Sequence, residues 1–159
     1  PIELPNLNNA PTLNQQNKQK IKVLLSLITE IVAKESKCAD YMLNKPNMEI
    51  EHIWSDHFEQ HTDEFADKNT FAAARNSIGD LLVLPKSFNA SYNDSPYSFK
   101  VEQYFEQNIL AQTLNVRKYK NNPDFLRFMH NSGLPFEPYL DFKLKSINER
   151  SQLYKQILL

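Results

Sequence analysis

The chain has 159 residues, 41% of them hydrophobic, with only 2 glycines and a net charge of −1. That length carries one domain with its own core, and the glycine-poor, Lys-, Glu- and Asn-rich composition predicts a mostly helical one. No apolar run approaches the roughly 20 residues needed to span a bilayer, and the near-zero charge excludes a uniformly basic nucleic-acid binder.

The charge is unevenly spread. Glu51, Asp56, Glu59, Asp63, Glu64 and Asp67 follow one another with no Lys or Arg between them, whereas from Lys100 onward nine basic residues stand against six acidic ones. An acidic patch beside a mildly basic half suits a metal-assisted nuclease, because phosphate contacts need local positive charge; a solvated charged surface has the same pattern. Cys38 is the only cysteine. It leaves no internal disulfide and no Cys-based zinc site, and it suits a reducing cytoplasm. The first residue is Pro1 rather than Met, and the chain is read as a piece of a longer protein.

In chain order, residues 1–13, with Pro1, Pro5 and Pro11, predict an extended lead-in, and residues 14–159 one domain. Asn14 can cap a helix running to about Lys37, whose Ile21, Leu24, Leu25, Ile28, Ile31 and Val32 recur at the spacing of one buried face. After a turn around Pro46, residues 48–54 alternate as a short strand, with Ile50, His52 and Trp54 on one side and Glu51 and Ile53 on the other. A helix is expected over residues 63–76, broken by Gly79, and a buried strand over 81–84, ended by Pro85. Further helices are predicted from Ser95 to about Asn108, over 124–131 with Gly133 as the stop, and over 142–159.

Glu51-His52, Gly79-Asp80 and Asn89 form an ordered polar set. A histidine whose ordinary pKa lies near 6.5 can take a proton from water near neutral pH. A Mg²⁺ ion can neutralise a phosphate, and its hardness calls for carboxylate or amide oxygens such as those of Glu51 and Asn89. Strand alternation separates Glu51 from His52, so a base and a metal ligand acting on one phosphate must sit where the strand ends. Asp80 can fix the loop through bonds to backbone N–H groups.

The series Ile50-Glu51-His52-Ile53-Trp54, Arg75-Asn76-Ser77-Ile78-Gly79-Asp80-Leu81, Phe88-Asn89-Ala90-Ser91 and Pro96-Tyr97-Ser98-Phe99-Lys100 resembles the C-terminal HNH-type domain of GmrSD-like restriction proteins, over about residues 48–104. The resemblance implies a fold and an activity. The fold would be α+β, a helical body carrying a ββα-metal (His-Me finger) unit over about residues 48–108. The activity would be Mg²⁺- or Mn²⁺-dependent DNA cleavage in restriction of foreign or modified DNA, as part of anti-phage defence. His52 then falls on the general base, Glu51 and Asn89 on metal ligands, and Lys100 on a phosphate contact. A ParB-like nucleotidase domain would precede it in the same protein. Asp80 departs from the family's usual Asn, and Asp80 and Arg75 are expected to brace the loop.

Other polar residues read more plainly. His57 and His61, with Asp56 and Glu59, look like an acidic surface segment rather than a second metal site. His130, Cys38 and Trp54 are expected to be structural, and Asn93 to belong to a turn. Arg117, Lys118 and Lys120 would contact a DNA backbone or form a solvated helix end. Two rivals remain: a catalytically degenerate DNA-binding module, and an interaction domain docking to the N-terminal part.

Overall fold

A computed structural model describes residues 12–38 and 45–159. Most of the expected lead-in therefore lies outside the described residues. Among those described, the chain forms seven α-helices and a two-stranded sheet, a mostly helical α+β arrangement.

Helix α1 (Lys18–Glu35) buries Ile21, Leu24, Leu25, Ile28 and Val32 on one face and packs on α5, β2 and α7. Each such side chain, fully buried, contributes about 1.5–3 kcal/mol. The helix starts later than Asn14, which closes a turn by accepting the N–H groups of Gln16 and Asn17.

Strands β1 (Met48–His52) and β2 (Leu81–Pro85) pair antiparallel, with Glu51 opposite Leu82 and His52 opposite Leu81. The expected strand through residue 54 stops at His52. Beyond it the N–H groups of Ile53 and Trp54 leave the ladder for the carbonyl and carboxyl oxygens of Asp80, at 2.7 and 3.1 Å.

Between the strands, α2 (Lys68–Arg75) is shorter than expected because Asp67 caps it, accepting the Thr70 N–H at 2.8 Å. Gly79 sits in a 3₁₀ turn (Ile78–Asp80), and its role is close approach rather than helix breaking. A Cβ there would lie 2.0 Å from the Ile147 carbonyl of α7, and its N–H donates to Ser151 Oγ at 3.0 Å.

Next come α3 (Lys86–Tyr92), α4 (Tyr97–Tyr104), α5 (Ile109–Gln112), α6 (Pro123–Ser132) and α7 (Leu144–Ile157). The helix expected to run to about Asn108 is split, since Asn108 caps α5 by accepting the Ala111 N–H. Gly133 ends α6 in the left-handed conformation, φ +69°. Arg150 of α7 is buried; its Nη1 donates to Thr113 Oγ1 and its Nη2 to the Leu110 carbonyl and the Tyr154 hydroxyl, which itself donates to Leu81 O, while its Nε has no partner. Helix α7 thereby holds β2 from behind. Among the described residues, no helix is long and apolar enough to cross a membrane.

Candidate active site at the end of the hairpin

The polar set converges where β1 ends. On one face of β1, Glu51 is 1% exposed. Helix α4 covers it with Lys100 and Tyr104, four residues apart and therefore on the same helical face. The Tyr104 hydroxyl donates to Glu51 Oε2 at 2.9 Å, and Lys100 Nζ lies 3.4 Å from the same oxygen and 3.5 Å from Oε1. Lys100, 0% exposed, also donates to the carbonyl of His52 at 2.8 Å. Burial pushes the Glu51 carboxyl up and the Lys100 ammonium down from their ordinary pKa values. Their mutual attraction opposes both shifts and favours the ion pair.

His52 occupies the opposite face. Its Nε2 lies 2.8 Å from Asn76 Oδ1 at the C-terminus of α2. Burial, and secondarily the Arg75 charge, push its pKa down to about 4, against the opposing effect of its hydrogen bond to Asn76. The imidazole is therefore neutral at neutral pH. The backbone that carries it is tied on several sides. Besides Lys100 on the His52 carbonyl, Asp80 Oδ1 accepts the Trp54 N–H, and Arg75 Nε donates to the Trp54 carbonyl at 3.0 Å. Asp80 is completely buried, which raises its pKa well above the usual carboxylate range, and its Oδ2 has no partner.

Asn89, on α3, hangs its amide on β1: Nδ2 donates to the Ile50 carbonyl at 3.0 Å and to Glu49 Oε2 at 3.2 Å. Its Oδ1 is buried without a partner. That orphaned hard oxygen suits a cation, whereas both oxygens of Glu51 are already engaged. Of the two expected ligands, Asn89 thus offers a hard oxygen suited to a divalent ion, whereas Glu51 could join it only by giving up the Lys100 ammonium and the Tyr104 hydroxyl. Among the described residues, no group of three or more His, Cys, Asp or Glu could hold a metal.

These relations settle which residues are neighbours. Glu51, His52, Arg75, Asp80 and Lys100 surround the strand end, with Asn89 one layer away along β1. Lys100 cannot face a phosphate in solvent in this conformation, since its ammonium is spent on Glu51 and His52. Asn76 and Tyr104 were missed in the sequence. The signal for Tyr104 was its i+4 spacing from Lys100; Asn76 stood within the Arg75-to-Leu81 series, but nothing there pointed to a bond with His52.

The chain matches the family described as GmrSD restriction endonucleases, C-terminal domain, over residues 4–156. It belongs to that family. No curated protein and no solved structure matches it. Membership in this GmrSD C-terminal family points to a restriction-endonuclease-related function, in a family of nucleases that acts on DNA.

The basic run lies elsewhere. Arg117 is paired with Glu102 at 3.0 Å and lies over the Phe105 ring, Lys118 is buried with its ammonium 5.7 Å from the Phe125 ring centre, and Lys120 is exposed. Burial leaves Lys118, 9% exposed, little surface for a DNA backbone to touch. His57 bridges Glu59 and Asp94 through its two ring nitrogens, at 2.9 and 2.6 Å. His61 stacks on Phe71 and lies tilted against Trp54, and Trp54 itself is buried with its Nε1 donating to the Phe142 carbonyl.

Proposed function

We propose that this domain is an HNH-type, Mg²⁺- or Mn²⁺-dependent endonuclease that hydrolyses DNA phosphodiester bonds in restriction of foreign or modified DNA. The observation that carries this reading is the neutral, partly enclosed His52 imidazole held at a strand end beside Glu51. His52 takes a proton from water as the water oxygen bonds to phosphorus. The bond from phosphorus to the leaving oxygen breaks, and that oxygen is protonated from solvent. Glu51 and Asn89 would hold the metal, which when bound would neutralise the phosphate and the leaving oxygen. Lys100 acts from beneath, fixing the His52 carbonyl and the Glu51 carboxylate. Lys120 is the member of the basic run suited to a DNA-backbone contact. The β1–β2 pair followed by α3 serves as the ββα-metal unit, and a ParB-like nucleotidase domain of the same cytoplasmic protein is the proposed partner.

The test is supercoiled plasmid incubated with the wild type and with His52→Ala, with and without Mn²⁺. Metal-dependent nicking by the wild type alone is expected, and equal nicking by the variant sinks the assignment. A DNA-binding domain without cleavage is the second reading, favoured by the engagement of Glu51 with Lys100. It requires salt-steep DNA binding with no nicking by either protein.

A further inference from the structure

We infer that Asn76 is the positioning residue that fixes the tautomer of His52, placing the ring proton on Nε2 and the lone pair on Nδ1. A neutral imidazole has one N–H donor and one acceptor nitrogen, and which is which depends on the partner each meets. Here the partner is unambiguous. The amide nitrogen of Asn76 donates to the Ala72 carbonyl at 2.9 Å, so the amide cannot be turned over without losing that bond. The atom facing His52 Nε2 at 2.8 Å is therefore the carbonyl oxygen, which only accepts. Nε2 must be the donor.

The rest of Asn76 is anchored as well. Its backbone N–H bonds to the Ala72 carbonyl and its own carbonyl accepts from Leu13 N–H, both at 3.0 Å, so the amide is presented from a fixed helix end. Lys100 meanwhile holds the His52 carbonyl. The ring is thus clamped at its far nitrogen and at its backbone, leaving χ1 and χ2 little freedom. Without Asn76, the proton would partition between the two nitrogens, and a fraction of molecules would present an N–H where a base is needed. The catalytic consequence rests on the proposed role of His52 as general base; the tautomer assignment does not.

The experiment separates the two. Long-range ¹H–¹⁵N correlation spectra of the 159-residue protein, with its 4 histidines labelled, report the tautomer of His52 directly, the His52→Ala spectrum identifying its signals. The wild type is expected to show protonated Nε2 and lone-pair Nδ1. Asn76→Ala is expected to give a mixture, and Asn76→Asp, which keeps an acceptor, to restore the Nε2–H form. Plasmid nicking should fall roughly 10–100-fold in Asn76→Ala, the usual cost of losing a supporting partner, in kcat rather than KM, and recover in Asn76→Asp. A wild type protonated on Nδ1, or an Asn76→Ala protein with the wild-type tautomer, overturns the inference. Because the wild-type spectrum alone can do so, a variant that fails to fold does not protect it. The expected spectra without any nicking by the wild type would sink the nuclease reading while leaving the tautomer assignment standing.

Discussion

Lys100 and Glu51 form an ion pair in which neither partner reaches solvent: Nζ and Oε2 are 3.4 Å apart, on side chains 0% and 1% exposed. Such a pair is weak evidence for stability, since desolvating two charges offsets much of their attraction. Breaking it is a different matter. Lys100→Met keeps the stem but leaves the Glu51 carboxylate with Tyr104 alone, and strands the His52 carbonyl. A loss of about 3–5 kcal/mol is expected, lowering the melting temperature by roughly 6–20 °C for a chain of this size. Adding Glu51→Gln should recover part of that loss, because the orphaned charge is then gone. Additive thermal shifts would show that the two groups are not coupled.

Gly79→Ala tests how closely the Ile78–Asp80 turn is pressed on α7. The new methyl would meet a backbone oxygen at 2.0 Å, which no side-chain rotation can relieve. Overpacking typically costs about 1–3 kcal/mol, and this variant should reach the top of that range or exceed it. Because the same turn delivers Asp80 to the strand end, loss of order at Trp54 should accompany it. Near-wild-type melting with unchanged Trp fluorescence would contradict the packing described.

The enclosure of His52 makes the metal-free protein sensitive to acid. Its folded-state pKa is about 4 against a usual 6.5, so as pH falls through that window the unfolded chain binds a proton that the folded one refuses. Stability is therefore fully present above about pH 6.5 and is lost as pH falls towards 4. The slope from this group approaches about 1.4 kcal/mol per pH unit at full occupancy. Denaturant melts of wild type and His52→Gln between pH 4 and 7 should diverge in that sense. Parallel curves would mean that His52 titrates like an exposed histidine.

His57 should behave in the opposite way. Hydrogen bonds to Glu59 and then Asp94 raise its pKa above 6.5. The contribution of this surface bridge is fully present below the unfolded pKa and disappears as pH rises through the folded one. An NMR titration should place its midpoint above the ordinary histidine value of 6.5, and Asp94→Asn should bring it back down. A midpoint that ignores Asp94→Asn would remove the bridge from solution.

What the sequence disclosed was governed by periodicity and by short-range signals. The α1 stripe, the buried run of β2 and the Gly133 stop are local patterns, and they appear in the structure where the spacing puts them. The boundaries that differ were decided by side chains competing for backbone groups: Asp67 truncates α2, Asn108 splits α4 from α5, and Asp80 draws Ile53 and Trp54 off the ladder. The neighbourhood of His52 was legible as motif order along the chain. The bond to Asn76 and the ion pair beneath Glu51 were not, because each joins residues 24 or 49 positions apart whose meeting depends on how α2 and α4 pack against β1.

Asn89 offers the sharpest test of the proposed metal role. Its Oδ1 is buried without a donor, a condition that ordinarily costs about 1–3 kcal/mol, while its Nδ2 bonds to Ile50 O and Glu49 are favourable. Asn89→Ala removes the cost and the gain together, so the melting temperature should move by only a few degrees. If that oxygen is a ligand, Mn²⁺ affinity measured by calorimetry should drop by at least the roughly 10–100-fold seen when a supporting group around a metal is lost. Nicking should then recover partly at high Mn²⁺, because occupancy and not the His52 base has been impaired. Unchanged Mn²⁺ affinity in a folded Asn89→Ala protein would take Asn89 out of the metal site and leave its amide as a tether between α3 and β1.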